Sequence, residues 1–478
     1  MNADQNALPE STAAVDTIAA ISTPPGRGGI GIVRLSGPQA ASIVAQLVGL
    51  RQPLEHARAR LADVFDEKHA SAERIDEAVV TYFAAPNSYT AEELVEIAAH
   101  GSPVVLDLLL RRALALGARL AEPGEFTQRA FLAGKLDLTQ AEAVRDLIEA
   151  QTLTQARQAA SQMGGALSRR VAPIKQSLLE LIALLEAGID FAEDDVDVAP
   201  KNEIARRIGE LTPPLVKLEA SFARGRIVHD GLTLAIVGRP NAGKSSLFNQ
   251  LVQRDRAIVT ANPGTTRDLV TERISLDGIP LELVDTAGLR EAIEEAELMG
   301  IARSREALAD AAIVLVVLDA TQSLNEEERA LLAAVADRPA LVAINKSDLA
   351  KGDLNSNLEA DERLNLQQAA AEPFGISALP TSALTGEGIP ALRERILALA
   401  TGGAASEPGL LTSLRHQQAV AAARAALADA EQANASAIPH EMILLDLYRA
   451  LCALDSLTGQ TTPDDILNLI FSTFCIGK

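Results

Sequence analysis

The sequence has few of the features that mark secreted, membrane or aromatic-rich proteins. Its 478 residues include two cysteines, no tryptophan and 3% aromatic residues. Two cysteines cannot build a disulfide framework, so a reducing compartment is expected. No apolar run reaches the ~18 residues that a membrane-spanning helix needs. Residues 1–16 contain no lysine or arginine, which argues against a secretory signal or a transit peptide. These absences together predict a cytoplasmic protein.

Positive charge is also scarce. There are 43 lysines and arginines against 64 aspartates and glutamates, a net charge of −21. Proteins that bind nucleic acid unaided present a basic face, because neutralising phosphates supplies much of the affinity. If RNA is a substrate, we therefore expect a second protein to hold much of it. The length predicts about two to four domains.

A phosphate-binding loop is predicted at residues 238–245, which read Gly-Arg-Pro-Asn-Ala-Gly-Lys-Ser. An apolar run typical of a strand precedes this G-x-x-x-x-G-K-S pattern, and a helix start follows it. In that context the glycines let backbone N–H groups converge on phosphates, and the helix N-terminus adds its positive end. Lys244 is predicted to reach the β- and γ-phosphates, and the Ser245 hydroxyl to ligate Mg²⁺. The predicted nucleotide contacts here are Asn241, Ala242, Gly243, Lys244, Ser245 and Ser246.

Guanine is the predicted base. Asn345-Lys346-Ser347-Asp348 follows the apolar run 341–344 and reads N-K-x-D. The Asp348 carboxylate can accept from both N1–H and the 2-amino group of guanine, a donor pair that adenine lacks. A site built around such hydrogen bonds rejects the wrong base by about four orders of magnitude. Downstream, the stretch 381–383 is placed to offer a backbone N–H to guanine O6, with Ser382 and Ala383 as contacts.

The residues expected to govern hydrolysis lie between these motifs. The strand at 280–284 ends in Asp285, Thr286, Ala287 and Gly288. Asp285 is predicted to hold the Mg²⁺ shell through water, and the Gly288 N–H to sense the γ-phosphate. Leu289 follows, where a Ras-like enzyme carries its water-orienting glutamine. Leucine cannot orient a nucleophile, so hydrolysis is slow or is completed by another residue, an ion or a partner. The nearby acidic candidates are Glu291, Glu294, Glu295 and Glu297.

The stretch 260–268 contributes the other predicted metal contacts. Thr266 is the expected Mg²⁺-ligating threonine of a switch loop that closes when the γ-phosphate is present. The stretch is rich in hydroxyls and carbonyls, so a monovalent cation site is compatible with it, and the residues by themselves leave that question open.

The flanking regions predict separate domains. Gly26, Gly28 and Gly31 satisfy a dinucleotide-binding pattern, but a strand follows where that motif needs a helix, so we predict a loop joining two strands. Up to about residue 133 the pattern is mixed α/β. Helical periodicity follows, with a break predicted at Pro213-Pro214. Alternating strands and helices up to about residue 400 predict a mostly parallel sheet. A linker-like stretch at 401–409 then leads into further helices, so the nucleotide domain is expected to be inserted into a helical one.

These features together resemble the MnmE (TrmE) family of tRNA-modification GTPases over essentially the whole chain. Besides the GTPase motifs, the resemblance rests on four stretches: Pro-Pro-Gly-Arg-Gly-Gly-Ile-Gly at 24–31, Pro-Gly-Glu-Phe-Thr at 123–127, Lys-Leu-Asp-Leu at 135–138 and Phe-Cys-Ile-Gly-Lys at 474–478. It implies a fold of mixed α/β and all-α parts, in which a Ras-like P-loop G domain is inserted into a helical domain and an α/β folate-binding domain precedes both. The implied domains are 1–133 (folate binding and dimerisation), 134–230 (first helical part), 231–402 (G domain) and 403–478 (second helical part with the tail).

The resemblance also implies an activity and partners. The family, with its FAD-containing partner MnmG (GidA) in a heterotetramer, adds an aminomethyl or carboxymethylaminomethyl group to C5 of the wobble uridine of tRNAs. The one-carbon donor is a formyl- or methylene-tetrahydrofolate. The implied folate contacts are Arg34, Glu96, Lys135 and Lys478. Cys475 matches the tail cysteine, whose chemical role stays open.

For hydrolysis, the resemblance implies that a K⁺ ion at a dimer interface of two G domains stands where an arginine finger would. The implied K⁺ ligands are Asn241, Thr260, Asn262 and Thr265, and Glu297 would orient the attacking water. A charge placed in this way is worth about three to five orders of magnitude in rate. The competing hypothesis is a ribosome-assembly switch in which GTP only controls docking, and a metabolic P-loop ATPase is a third.

Overall fold

The computed structural model describes residues 16–66, 73–190, 200–253, 271–285, 311–350, 371–402, 409–460 and 464–477. The chain forms two compact units, Met1–Arg145 with Asp455–Lys478 and Asp146–Leu454. No helix within the described ranges combines the length and apolar character needed to cross a bilayer.

A seven-stranded sheet organises the first unit. Its strands are β1 Ile18–Ile21, β2 Gly28–Ser36, β3 Val48–Leu50, β4 Arg58–Phe65, β5 Arg74–Phe83, β6 Leu94–Gly101 and β7 Arg119–Leu120. They lie in the order β3-β4-β5-β6-β2-β1-β7, antiparallel except for the β1–β7 pair. The predicted loop joining two strands is confirmed and spans residues 22–27, whereas Gly28 and Gly31 belong to β2. No helix follows the glycine pattern directly, so the dinucleotide reading is excluded for this loop.

Helices cover one face of this sheet because its strands alternate buried apolar and polar side chains. Val33, Leu35, Val95 and Ile97 are fully buried in the core that also contains α1 Ala40–Leu47 and α2 Pro103–Ala115. The remaining helices of the unit are α3 Glu125–Leu132, α4 Leu138–Glu149 and α15 Asp464–Ser472, with α4 continuing into the second unit. A second cluster joins α4 to α15 and the tail through Leu138, Ala141, Leu467, Phe471 and Phe474.

In the second unit, helices from both sides of the nucleotide domain pack together. They are α5 Leu153–Met163, α6 Ala166–Asp190, α7 Lys201–Ala220, α8 Phe222–Asp230, α13 Leu414–Ala435 and α14 His440–Thr458. α7 and α13 run along each other, and Asn434 Nδ2 of α13 donates to Lys201 O at 3.0 Å. The predicted insertion of the nucleotide domain between two helical segments is therefore seen in this packing.

The break predicted at Pro213-Pro214 is wrong, because α7 continues through both prolines. Proline removes a backbone donor and crowds the preceding turn, which disfavours a helix interior. Here Leu211, Leu215 and Leu218 on either side are at most 2% exposed. Tertiary burial of one helix face outweighs the local preference, as it does for most helices in proteins.

The nucleotide domain contains a six-stranded sheet. Its strands are β8 Leu232–Val237, β9 Thr271–Leu276, β10 Ile279–Asp285, β11 Ile313–Asp319, β12 Ala340–Asn345 and β13 Ser377–Pro380, in the order β13-β12-β11-β8-β10-β9. Among the strand pairs that the structure describes here, only β9–β10 is antiparallel. The described helices of the domain are α9 Lys244–Gln253, α10 Glu326–Val335, α11 Ser347–Ala350 and α12 Ile389–Thr401, with a 3₁₀ turn at Glu372–Phe374. Because α9 and α12 bury one face and α10 the other, the predicted mostly parallel, doubly covered sheet is confirmed.

His229, near the end of α8, lies between two carboxylates. Its Nε2 is 3.1 Å from Asp146 Oδ1 and its Nδ1 is 2.7 Å from Asp230 Oδ1. The hydrogen bond with Asp146 raises the pKa of His229 to about 9, although burial acts in the opposite direction. Because this pKa lies above the unfolded value of about 6.5, the stabilisation is complete below pH ~6.5 and is lost as the pH rises through ~9.

We therefore expect the free energy of unfolding to fall by about 1–3 kcal/mol between pH 6.5 and 9.5, after allowing for the partial exposure of the imidazole. Urea denaturation at several pH values measures this fall. His229→Gln should flatten it, whereas His440→Gln, at the first residue of α14, should leave it in place. An unchanged pH dependence in His229→Gln would contradict the assignment.

Candidate functional site

The predicted phosphate-binding loop connects β8 to α9 at the carboxyl edge of the parallel sheet. Ligands of open α/β sheets bind at this edge, outside the carboxyl ends of the strands. Ala242 and Lys244 are buried, whereas Asn241, Ser245 and Ser246 are exposed. Lys244 Nζ donates to Arg239 O of the same loop at 2.9 Å. The ammonium therefore lies within the loop that its sequence motif assigns to phosphates.

Two glycines of this loop have a backbone that only glycine adopts without strain. Gly238 has a φ of +150°, and a Cβ there would lie 2.3 Å from Val317 O. Gly243 has a φ of +92°, and a Cβ there would lie 2.2 Å from Asn345 Nδ2. Both positions combine positive φ with close approach of another element, so no side chain intrudes on the cradle. This is the geometry that lets backbone N–H groups reach a phosphate.

Asn345 joins the three loops of the candidate site. Its side chain is almost fully buried; Nδ2 donates to Ala242 O at 2.9 Å, and Oδ1 accepts from Ala383 N at 3.0 Å. The amide thus connects the phosphate loop, the end of β12 and the loop after β13. An asparagine can do this because one side chain carries both a donor and an acceptor.

The remaining predicted base contacts lie around this amide. Asp348 is half-buried in α11, which begins directly after Lys346. The N–H groups of Thr381, Ser382 and Ala383 donate to Ile344 O, Glu387 O and Asn345 Oδ1. A guanine O6 would share these donors with acceptors of the protein, a feature that the sequence does not reveal.

Replacing Gly243 by alanine tests whether the cradle depends on its special backbone. We expect the affinity for GDP to fall about 10- to 100-fold, because the new Cβ meets Asn345 Nδ2 and the positive φ costs roughly 1–3 kcal/mol. Fluorescent GDP titration measures it. Gly209→Ala in α7 is the matched control, since its Cβ would meet nothing within 4 Å, and it should bind normally. Equal affinities of the two variants would contradict this account of the loop.

The donor set fits a magnesium nucleotide as far as the structure describes it. The Ser245 hydroxyl lies exposed in the first turn of α9, and hydroxyl and carboxylate oxygens are the ligands that Mg²⁺ prefers. Several predicted contacts lie outside the described residues. They are Thr260, Asn262, Thr265, Thr266, Thr286, Ala287, Gly288, Glu297, Lys478 and the side chain of Asp285.

A second group of predicted site residues meets in the first unit. Arg34 of β2 and Glu96 of β6 are cross-strand partners, and Arg34 Nη2 lies 2.6 Å from Glu96 Oε1. The guanidinium lies 5.9 Å from the centre of the Tyr89 ring and 5.6 Å from that of Phe126. The two rings and the carboxylate together stabilise the guanidinium, through cation–π attraction and a charge-assisted hydrogen bond.

The chain tail lies against this group. The Gly477 carbonyl accepts from Ser22 Oγ at 3.1 Å and from Arg34 Nη1 at 3.4 Å. Cys475 O accepts from Gly124 N at 3.4 Å, and Ile476 forms a bridge with Pro123. The Cys475 side chain is exposed, so the thiol is accessible while its backbone is held.

Lys135 is placed differently from the expectation of a direct ligand contact. Its Nζ donates to Pro86 O at 3.0 Å and to Ser88 O at 2.8 Å, in the loop that carries Tyr89. In this structure the lysine therefore anchors that loop. Tyr89, Phe126 and Ser22 were not identified as site residues from the sequence, although Phe126 lies inside the Pro-Gly-Glu-Phe-Thr stretch. The other two are revealed only by their contacts in the folded chain, Tyr89 with Arg34 and Ser22 with Gly477.

α3 places Phe126 under the guanidinium. The first residue of the helix, Glu125, accepts from Arg119 Nη2 at 2.6 Å and from Arg129 Nη2 at 2.9 Å. Burial raises the pKa of the Glu125 carboxyl, but the bonds with these two arginines outweigh it and hold the pKa below its usual range. Glu125 is therefore charged and paired at neutral pH, which fixes the start of α3.

The chain is also similar to known proteins over most of its length. Residues 17–135 match the family model for the GTP-binding protein TrmE N-terminus, and residues 138–475 match that for the MnmE helical domain. A tRNA modification GTPase MnmE of Koribacter versatilis is 56% identical over 97% of this chain and 99% of its own length. That of Aquifex aeolicus is 39% identical over 97% and 100%. The G domain of the T. maritima FeoB iron transporter is 29% identical, covering 35% of this chain and 98% of its own, with a TM-score of 0.25.

The matched regions of these relatives cover the α/β unit, the flanking helices and the inserted nucleotide domain together. Their similarity extends over nearly the whole of both chains, so it applies to the combination of domains and not to a shared GTPase module alone. The chain therefore belongs to the MnmE family of tRNA modification GTPases.

Proposed function

We propose that this protein is a K⁺-stimulated GTPase that works with an FAD-containing MnmG partner on tRNA. The pair adds a (carboxymethyl)aminomethyl group to C5 of the wobble uridine, using a tetrahydrofolate one-carbon donor. The proposal rests on two groups of residues that occur together in one chain. Asn345 joins the loops of the candidate guanine-nucleotide site. The Arg34–Glu96 pair lies under a cysteine-containing tail.

Each loop of the proposed nucleotide site has a separate role. Lys244 and the loop N–H groups would bind the phosphates, and Ser245 with Thr266 would hold Mg²⁺, which would neutralise phosphate charge. Asp285 would hold the Mg²⁺ shell through water. Thr286, Ala287 and Gly288 are assigned as GTP contacts, with the Gly288 N–H sensing the γ-phosphate. Asp348 reads the edge of guanine. Ser382 and Ala383 lie beside its O6.

We assign to a K⁺ ion the role that an arginine finger has in other GTPases. Leu289 occupies the position of a water-orienting glutamine, so another charge has to stabilise the transition state. We assign the K⁺ ligands to Asn241, Thr260, Asn262 and Thr265, and the orientation of water to Glu297. Asn241 is exposed at the rim of the phosphate loop, which suits a site completed when two copies of the G domain meet.

The folate site lies on the first unit. Arg34 and Glu96 form its polar contacts between the Tyr89 and Phe126 rings, and Lys135 supports the loop that carries Tyr89. Lys478 is assigned to this site as the residue that follows Gly477, whose carbonyl accepts from Arg34 Nη1. Cys475 is exposed here, as a residue that reacts with a one-carbon unit has to be.

The partners follow from charge and domain organisation. The net charge of −21 favours an assembly in which MnmG, as part of a heterotetramer, holds most of the tRNA. Dimerisation of this chain is assigned to residues 1–133, with helical parts at 134–230 and 403–478 and the G domain at 231–402. A cytoplasmic location is consistent with two cysteines that are not joined in a disulfide.

Two tail variants of the full chain, assayed with MnmG and tRNA, test this function. Cys475→Ser keeps the backbone contacts but removes the thiol. Gly477→Val disrupts docking, because Gly477 has a φ of +90° and a Cβ would lie 2.7 Å from Ile21 O. Nucleoside analysis of the wobble uridine should show modification lost in Gly477→Val, with GTP turnover retained. Cys475→Ser then reports whether the thiol itself takes part in the chemistry.

The alternative of a ribosome-assembly switch predicts no requirement for the tail. Normal uridine modification by Gly477→Val, and by a chain lacking residues 475–478, would overturn the role proposed for the tail. Unmodified wobble uridine with the wild-type chain and MnmG would support the ribosome-assembly alternative. Selective binding of ATP over GTP would instead favour a metabolic ATPase.

A further inference from the structure

A buried carboxylate lies next to the candidate base-recognition motif. Asp319 is the last residue of β11 and is in register with Asn345, the last residue of β12. Its Oδ2 lies 2.7 Å from Lys346 Nζ, and the two side chains are 1% and 30% exposed. Oδ1 accepts from both the N–H and the hydroxyl of Thr321, at 2.9 and 2.6 Å. Asp319 thus connects a rigid strand end to Lys346 through its second oxygen.

Asp319 is held as an anion. Burial raises the pKa of its carboxyl, but the hydrogen bonds from Lys346 and Thr321 outweigh burial, and the pKa stays below its usual range. A buried charge without a partner is costly, so the carboxylate in turn holds the ammonium in place. Lys346 also has a φ of +64°, an unusual conformation for a residue with a side chain. Backbone and ion pair together define where the lysine lies.

An ordered Lys346 side chain affects the proposed base site. A free lysine side chain loses up to about 2 kcal/mol of rotamer freedom when it is ordered. Lys346 stands between Asn345, which joins the loops, and Asp348, which is assigned to the guanine edge. Its four-carbon stem offers an apolar surface, and its ammonium is already bound to Asp319 and so does not compete for the base.

We propose that Asp319 is a positioning residue of the guanine site: by holding the Lys346 ammonium, it fixes the lysine stem as a wall against the face of the purine ring. The inference rests on the proposed guanine binding and adds to it a residue outside the N-K-x-D motif. It separates two kinds of recognition. Asp348 reads the edge of the base, whereas Asp319 acts through Lys346 on its face.

This separation gives a distinctive nucleotide profile. Inosine diphosphate lacks the 2-amino group of guanine, and xanthosine diphosphate carries an oxygen there, yet all three purines have similar faces. Asp319→Asn should therefore lower the affinities for GDP, inosine diphosphate and xanthosine diphosphate by the same factor, about 5- to 30-fold. Asp348→Asn should change the ratio of GDP to xanthosine diphosphate affinity. Nucleotide titration of the full-length chain measures both.

A double-mutant cycle tests whether Asp319 acts through the lysine. Lys346→Met keeps an apolar stem without the ammonium. In that background Asp319→Asn should change the GDP affinity less than about twofold, because the group that it positions is already absent. A loss of the same factor in both backgrounds, or no loss in the wild-type background, would overturn the proposal.

Thr321→Val is the second variant, for the case in which Asp319→Asn does not fold. It removes one donor to Asp319 Oδ1 and leaves the ion pair. The affinities for all three diphosphates should therefore fall equally, by about two- to threefold. Unchanged affinities in Thr321→Val would count against the positioning role. If Asp348→Asn leaves the ratio of GDP to xanthosine diphosphate unchanged, guanine recognition itself fails, and that result does not depend on the Asp319 variants.

Discussion

Replacing Asp348 with asparagine should raise the Kd for GTP and GDP by about four orders of magnitude. The asparagine offers one carbonyl oxygen and one amino group where the carboxylate offered two acceptors. One of the two donors of guanine, N1–H and the 2-amino group, then faces another donor, and a buried unpaired donor costs its full desolvation. Titration with a fluorescent GDP analogue measures the effect, and thermal unfolding checks that the variant folds.

Xanthosine diphosphate supplies the complementary test, because its oxygen at position 2 can accept from the new amide. Asp348→Asn should bind it more tightly than the wild-type chain does. Asp337→Asn, in the exposed turn after α10, is the matched control and should bind GDP normally. Near-normal GDP affinity in Asp348→Asn would refute the guanine assignment.

GTP turnover in KCl should exceed that in NaCl at equal ionic strength by about three orders of magnitude. The reason is Leu289, which cannot orient water or stabilise charge, so a bound ion has to supply what a finger residue supplies elsewhere. Single-turnover hydrolysis by the full-length chain measures the ratio, and GDP affinity in the two salts serves as the internal control. Indistinguishable hydrolysis rates in the two salts would show that K⁺ takes no part in the mechanism.

Asn241→Gly sharpens the potassium experiment. Asn241 has a φ of 65°, a conformation that glycine adopts freely, so the substitution removes the side-chain ligand and preserves the backbone. Stimulation by K⁺ should be lost while GDP still binds. Dimerisation of the G domains in K⁺ with a transition-state mimic should be lost in parallel, which sedimentation can follow. Full stimulation in this variant would mean that the ligand lies elsewhere.

Much of the nucleotide domain was predictable because its signals are local. The phosphate loop, β8 and the start of α9 are adjacent in the chain, and a glycine pattern between an apolar run and a helix start allows few conformations. The runs that became β10, β11 and β12 are bounded apolar segments, which a doubly covered parallel sheet requires. The loop between β1 and β2 was predicted for the same reason, because Pro24-Pro25 and the glycines after them favour it locally.

Other features depend on residues that meet only in the folded chain. Asn345 contacts Ala242 and Ala383, and Asp319 contacts Lys346, across strands whose order a linear pattern does not give. The tail reaches Arg34 from 443 positions away.

The amino-acid sequence by itself determined which groups are available to this protein: a phosphate-loop motif, the N-K-x-D carboxylate of Asp348, a leucine at position 289 and a cysteine at position 475. The tertiary structure decided which of these groups meet, and it kept α7 helical through Pro213-Pro214 by burying one of its faces. The physical reason is the distance along the chain over which each effect acts. Backbone preferences act over a few residues, whereas burial and buried hydrogen bonds act between segments that only folding brings together.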